Sequence, residues 1–376
     1  MCLPHCPSLR RTRAEPVVAC TPEVMYHSNQ QIPVFRPAVK EESMRRVSLQ
    51  GNSRVTVTEA ADPTPGPGEV VVRTAVSALC GSELKGYRSG ESKSGNNGHE
   101  ATGTVIALGS GVTSLAIGQR VGLSAIVGCG ECDQCAAGRY TWCASHRFIG
   151  NMHAEQICIP ARGCHPLPDD VPWEAGVLLS GDGLGVPYHT STRLRDPAIR
   201  TIAIFGVGPI GLGNLLVQRF LGRQVLAVDV SPTRLELAEE LGAAHVIDAN
   251  SSDPVARIRE LTSGRGADVC LEAVGRPETL KQCFAAVATG GLVVMNGEQP
   301  GVELSPSTDF IRRDITAFGS WYYHFGEFGQ MLALYRQGLA VEKLITHHYP
   351  LSDADTAFRE FAAGRTGKVL LHYGVG

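Results

Sequence analysis

The chain has 376 residues, 43% of them hydrophobic and 19% charged, with a formal net charge of −3. That balance excludes a disordered polymer and leaves no basic excess for binding nucleic acid or an anionic membrane. At roughly 100–200 residues per domain, about two domains are expected.

Residues 1–43 show neither a helical nor a strand period and are rich in proline, with scattered cysteines and mixed charges. They read as a disordered extension, or as a mis-assigned start with Met44 the true one. Arg10, Arg11 and Arg13 raise a targeting peptide as a rival reading, which Glu15 and the prolines weaken. Residues 1–25 lack an apolar core of about 7–15 residues, so no secretory signal is evident and the cytoplasm is the expected compartment.

A strand pattern begins near Met44 (MRRVSLQGNSRVTVTEA), followed by the turn-rich PTPGPGE and the apolar VVVRTAV. From there to about residue 180, short apolar runs alternate with glycine and proline, which suggests a partly open, all-β barrel with long functional loops. From about residue 200 the texture changes. TIAIFG leads into a helix from Pro209, VLAVD follows, and a second helix is opened by Ser231–Pro232 and closed at Gly242. HVIDA, a helix capped by Asp253–Pro254, DVCLEAVG, another helix and LVVMNG continue the alternation. Such a β-α-β series predicts a parallel, doubly wound sheet with right-handed crossovers. The uncharged stretch Thr201–Gln218 is broken by glycines and a proline, so it reads as strand, turn and helix and not as a membrane span.

Three motifs carry chemistry. Gly206, Gly208 and Gly211 form G-x-G-x-x-G between a predicted strand and helix. The first permits a tight turn, the second lets backbone approach a pyrophosphate, and the third allows close helix–strand packing. Pro209 and Ile210 would open the helix whose free N–H groups meet the phosphates. Asp229 ends the second strand, 18 residues past Gly211, where a carboxylate accepts the ribose hydroxyls and repels a 2′-phosphate. NAD is therefore expected over NADP. Arg234 either softens that preference or belongs to a solvated helix face.

Cys129, Cys132, Cys135 and Cys143 are spaced C-x2-C-x2-C-x7-C. Four thiolates close a tetrahedron around zinc with no position left for water, the mark of a structural site. A disulfide pair fits the expected compartment poorly, and an iron–sulfur cluster usually has other spacing.

The third constellation is ALCGSELKGY, with Cys80, Ser82 and Glu83, followed by GHEATGTVIALGSGV, with His99 and Glu100. GHE-x2-G-x5-G-x2-V, the upstream C-G-S-E, the four-cysteine segment and the later glycine fingerprint occur in an order that resembles the zinc-containing medium-chain dehydrogenases, the alcohol, polyol and threonine dehydrogenase superfamily. The resemblance runs from about Met44 to the C-terminal GRTGKVLL. It implies a GroES-like catalytic domain over 44–187, a Rossmann domain over 188–318 and a return to the catalytic domain over 319–376. The active site would lie between the two domains.

The resemblance further implies two zinc ions per chain, with Cys80 and His99 holding the catalytic one. In LLSGDGLGVPYHT, Asp182 stands where the family often has a cysteine ligand, and a carboxylate oxygen is an acceptable substitute. Glu100 is the alternative third ligand, as in polyol-type relatives. Ser82 takes the position of the hydroxyl that accepts the substrate proton, and Glu83 that of an acid orienting His99. Lys85 stands where some relatives have a relay histidine, and either holds a polar or anionic substrate or is simply solvated. His153 and the run 321–326 are candidates for lining the pocket, although core packing accounts for most of that run.

The expected activity is hydride transfer between NAD and a secondary alcohol or ketone, with Asp182, Lys85 and Glu100 favouring a polyol, sugar or cyclitol. The alternative is a relative lacking catalytic zinc, acting as a zinc-independent reductase or a non-catalytic binding subunit. A homodimer or homotetramer is expected by analogy.

Overall fold

The computed structural model describes residues 43–374, so the readings made for the N-terminal extension lie outside the described residues. Nine strands come first: β1 (Ser43–Gly51), β2 (Arg54–Ala61), β3 (Glu69–Ala78), β4 (Ala101–Leu108), β5 (Arg120–Leu123), β6 (Ile126–Val127), β7 (Arg147–Phe148), β8 (Gln156–Pro160) and β9 (Cys164–Pro166). Two helices, α1 (Trp173–Ser180) and α2 (Asp182–Ser191), lead out of this region. The alternating unit then runs β10 (Thr201–Phe205), α3 (Pro209–Phe220), β11 (Gln224–Asp229), α4 (Pro232–Glu240), β12 (His245–Asp248), α5 (Pro254–Leu261), β13 (Ala267–Glu272), α6 (Pro277–Ala286), β14 (Val287–Met295) and β15 (Thr316–Gly319). The chain closes with α7 (Phe328–Arg336), β16 (Ile345–Pro350), α8 (Ala354–Ala362) and β17 (Lys368–His372).

β10–β15 form one parallel sheet in the order β12-β11-β10-β13-β14-β15, the doubly wound Rossmann arrangement. Its inner strands are buried on both faces, which is why they read as unbroken apolar runs: TIAIF is buried throughout, whereas the edge strands β12 and β15 are partly exposed. The helices start at the expected signals. Ser231 accepts from the Arg234 N–H at 3.4 Å, and Asp253 from the Val255 N–H at 2.9 Å. Gly242 ends α4 region at φ +91°, a conformation that glycine reaches without steric penalty.

The first nine strands and the last two form the GroES-like unit. β16-β17-β3-β4-β5-β9 make a curved sheet, with β8 added beside β3. β17 pairs antiparallel with β3, so the last strand of the chain closes the first domain. One apolar core runs from this barrel through α1 and α2 into the Rossmann sheet, joining Val72, Leu123, Leu178, Leu184, Leu212 and Ile204. Burying such side chains contributes roughly 1.5–3 kcal/mol each. Among the described residues, no helix is long and apolar enough to cross a membrane.

Candidate active site

β3 and β4 run antiparallel, with Ser77 opposite Ala101. The residues just past the end of β3 therefore face those just before the start of β4, and this places Cys80 beside His99. Cys80 begins a short 3₁₀ turn, Gly81–Glu83. Asp182 arrives from a third direction as the first residue of α2, where the helix dipole favours a carboxylate.

Asp182 Oδ2 lies 3.2 Å from Cys80 Sγ and 3.1 Å from His99 Nε2. The ligand atoms of Cys80, His99, Glu100 and Asp182 all fall within 4.8 Å of one another. Asp182 Oδ1 is buried without a hydrogen-bond partner, an orphaned acceptor of the kind a cation would satisfy. A thiol, an imidazole and a carboxylate converging with one acceptor unspent fit a zinc ion with an open position. Burial and the Asp182 charge push the Cys80 thiol up. Burial opposes a charge on His99, yet the Cys80 sulfur and Asp182 hold its imidazole well above the ordinary value. Burial likewise acts to raise Asp182, but its contact with His99 keeps it below. His99 and Asp182 thus favour opposite charges before any metal is considered, while Cys80 is pushed toward its neutral thiol.

Glu100 is engaged elsewhere. One oxygen pairs with the Lys368 ammonium, and the other accepts from the Gly183 N–H at 3.3 Å. Of the two alternatives for a third ligand, Asp182 has the free oxygen and Glu100 does not. Burial acts against the Lys368 charge, and Glu100, with smaller help from Cys80 and Asp182, holds its ammonium above the ordinary value.

The expectation for Glu83 needs correction. Glu83 does not touch His99, whose Nδ1 pairs with the Asn97 carbonyl at 2.8 Å. Instead Glu83 accepts the Cys80 backbone N–H at 2.9 Å and pairs with His153 Nε2 at 2.8 Å. The expectation that His153 lines the pocket is also corrected, because it is wholly buried and is not among the residues that line it.

A cleft of about 910 Å³ joins this cluster to the Rossmann sheet. Ser82 and Lys85 line it and are solvent-exposed, and Phe148, Tyr322 and Trp321 line it too. The Phe148 ring centroid is 5.6 Å from that of His99, yet Phe148 is 56% exposed. Phe148 and Asn97 were not singled out from the sequence, since nothing local distinguishes them. Of the run 321–326, Trp321 and Tyr322 line the cleft, while Tyr323 is buried with its hydroxyl on the Ser180 carbonyl at 2.6 Å.

At the far end of the cleft lie Gly206, Gly208, Pro209, Ile210, Asp229 and Arg234. The glycines, Pro209 and Ile210 sit past the carboxyl end of β10, where the strand order reverses, while Asp229 ends β11 and Arg234 lies on α4. Gly206 has φ +89°, and a Cβ on it would lie 2.5 Å from the Val274 side chain. A Cβ on Gly211 would fall 1.9 Å from the Gly206 carbonyl oxygen, so helix and strand touch there. Gly208 has room on the protein side, its Cβ meeting only Arg234 at 3.6 Å, so the space it leaves faces the cleft. No side chain caps α3, whose first N–H groups are free for phosphate. The Arg234 Nε is buried and unpartnered beside this cradle. Asp229 accepts backbone N–H groups from Val207, Val230 and Ser231 at 2.8–2.9 Å, so it also shapes the loop it was expected to serve. The cradle fits a dinucleotide.

The four-cysteine lobe stands apart from the cleft. Cys135 Sγ is 3.6 Å from Cys132 Sγ and 3.8 Å from Cys129 Sγ. All four sulfurs lie within 4.8 Å of one another, and none is in a disulfide. A Zn–S bond of about 2.3 Å implies a tetrahedral edge of about 3.8 Å, so the spacing suits a ZnS₄ centre. The lobe leans on the end of the chain through Tyr140 stacked on Phe325 at 4.7 Å.

Comparison with known proteins is consistent with this geometry. The alcohol dehydrogenase GroES-like domain profile matches residues 66–169, and the zinc-binding dehydrogenase profile matches residues 209–337. L-threonine 3-dehydrogenase of Symbiobacterium thermophilum is 31% identical over 354 residues, covering 88% of this chain and 98% of that protein. An alcohol dehydrogenase from Thermus sp. ATN1 superposes with a TM-score of 0.80 at 29% identity, covering 88% of this chain and all of that one. Galactitol-1-phosphate dehydrogenase from Escherichia coli superposes with a TM-score of 0.77 at 27% identity, with the same coverage.

Proposed function

The chain belongs to the zinc-containing medium-chain dehydrogenase superfamily and is an oxidoreductase of the zinc-dependent alcohol dehydrogenase type; on that premise we propose that it transfers hydride between NAD and a secondary alcohol or ketone bearing further polar groups. The observation that carries this reading is Asp182 Oδ2 within 3.2 Å of both Cys80 Sγ and His99 Nε2, with Oδ1 unspent.

In this reading Cys80, His99 and Asp182 hold one zinc ion, and Cys129, Cys132, Cys135 and Cys143 hold a second, structural one. Bound zinc would supply Lewis acidity toward the substrate hydroxyl, and bound NAD would supply the hydride acceptor. The protein does the rest. Ser82, exposed on the cleft wall, takes the hydroxyl proton and passes it toward solvent. Phe148 and Trp321 exclude water from the reacting face and offer flat surfaces to a ring or chain. Gly206, Gly208 and the start of α3 would seat the pyrophosphate, Arg234 would add a cation, and Asp229 would meet the adenine ribose. Lys368 keeps Glu100 out of the coordination sphere.

Lys85 and Asn97 at the cleft support a polyol, sugar or cyclitol. A second substrate class, a 3-hydroxy amino acid, is favoured by the identity to L-threonine 3-dehydrogenase, with Lys85 available to the carboxylate. The protein works in the cytoplasm as a homodimer or homotetramer in this reading. The test is NAD reduction by zinc-replete protein across a panel of sugars, cyclitols, polyols and hydroxy amino acids. Turnover of one class assigns the substrate. NAD binding with no turnover across the whole panel favours the catalytically metal-free relative instead.

A further inference from the structure

We propose that His153 is a positioning residue that sets the geometry of both metal-ligand loops at once; the inference rests on the catalytic metal site proposed above. Its imidazole reaches the Cys80 loop through Glu83. Nε2 pairs with Glu83 Oε2 at 2.8 Å, and Glu83 Oε1 accepts the Cys80 N–H at 2.9 Å. A carboxylate only accepts, so Nε2 carries the proton in this contact.

The same ring also abuts the His99 loop. A Cβ on Gly98 would fall 2.5 Å from His153 Cδ2 and 2.7 Å from Nε2, so the backbone just before His99 lies flat against the imidazole. Asn96 ties the two segments together. Its Oδ1 accepts from the His153 N–H at 3.2 Å and the Gly98 N–H at 3.0 Å, while its Nδ2 donates to the His153 carbonyl at 3.2 Å. The Met152 N–H adds a bond to the Gly98 carbonyl at 2.9 Å.

The ring cannot swing. Nδ1 pairs with Ser77 Oγ at 2.8 Å, and Ser77 pairs in turn with the Tyr373 hydroxyl at 2.8 Å. Ser77, Glu83, His153 and Tyr373 are all buried. Burying a carboxylate and an imidazole is costly, and an apolar pair of similar volume is often as stable. A network that ends on the amide of one ligand and the backbone before another is therefore better explained by orientation than by stability alone. Partners that orient metal ligands typically alter metal affinity by about 10–100-fold when removed.

The test is His153→Leu in the full chain, read by cobalt. Cobalt(II) is titrated into the protein with the four-cysteine lobe loaded with zinc, following the thiolate-to-cobalt absorption of the Cys80 site. The expected result is a dissociation constant about 10–100-fold weaker, a shifted cobalt spectrum and an undisturbed lobe metal. Wild-type affinity with an unchanged spectrum would overturn the inference. Should His153→Leu fail to fold, Gly98→Ala leaves both residues of the Glu83–His153 pair unchanged in sequence and drives a methyl to within 2.5 Å of the ring. It should shift the cobalt spectrum and weaken binding, and an unchanged site there would overturn the inference equally. If the wild-type chain itself takes up no metal beyond the lobe, the catalytic metal site falls and this inference with it, which separates the two failures.

Discussion

Lys368 and Glu100 form an ion pair with no solvent exposure on either side chain, across 268 residues of chain. The lysine is the first residue of the closing strand β17 and also donates to the Leu79 carbonyl at 3.3 Å, next to Cys80. The pair therefore fastens the last strand of the chain to the floor of the candidate active site.

Removing one partner of a buried pair leaves an uncompensated charge and typically costs about 3–5 kcal/mol. Lys368→Met should lose stability of that order in urea unfolding. Adding Glu100→Leu should recover most of it, because an apolar replacement of the whole pair is often neutral. A single and a double variant of equal stability would show that the charge of Glu100 does not depend on Lys368.

His165 lies between Phe325 and Phe328, with ring centroids 3.9 and 4.3 Å away, and its Nε2 is 3.1 Å from the Tyr323 hydroxyl. Burial pushes its imidazole down to about 3 from an ordinary 6.5. Between those values the unfolded chain binds the extra proton, so stability rises with pH. The contribution is complete above the unfolded value and is lost as pH falls toward the folded one. At pH 5 it should cost about 2 kcal/mol relative to pH 7. His165→Phe should flatten that part of the Tm-versus-pH curve, since Tyr323 still donates to Ser180. Parallel curves for the two proteins would contradict the assignment.

Asp229 combines a structural and a selective role, because its oxygens hold the Val207, Val230 and Ser231 N–H groups. Asp229→Asn keeps an acceptor and removes the charge that repels a 2′-phosphate. The ratio of kcat/KM with NADP to that with NAD should rise at least about tenfold, equivalent to about 1.4 kcal/mol. A ratio that stays put would show that the Asp229 charge does not set the cofactor preference.

The features legible in the sequence are those written in contiguous residues. Four cysteines in fifteen residues and three glycines in six declare themselves because ligand spacing and turn geometry are local. The helix starts at Ser231–Pro232 and Asp253–Pro254 are local for the same reason. What the sequence concealed depends on pairing between distant strands. Lys368 meets Glu100 only because β17 closes beside β3, and the gap of 70 residues between Glu83 and His153 carries no spacing signal. Glu83 was expected to orient His99 by analogy of position, but its carboxylate pairs with His153 and the Cys80 N–H instead. A lone histidine between polar loops reads as a pocket residue until burial shows which way it faces.

The account stands on a second metal held by Cys80, His99 and Asp182. The most direct measurement is zinc per polypeptide, by mass spectrometry on gently purified protein, for the wild type and for Asp182→Ala. The expected counts are two and one, with kcat/KM of the variant reduced by more than the roughly 10–100-fold that follows loss of a mere orienting partner. One zinc in both proteins, with the four cysteines accounting for it, would contradict the dehydrogenase mechanism set out for this cleft.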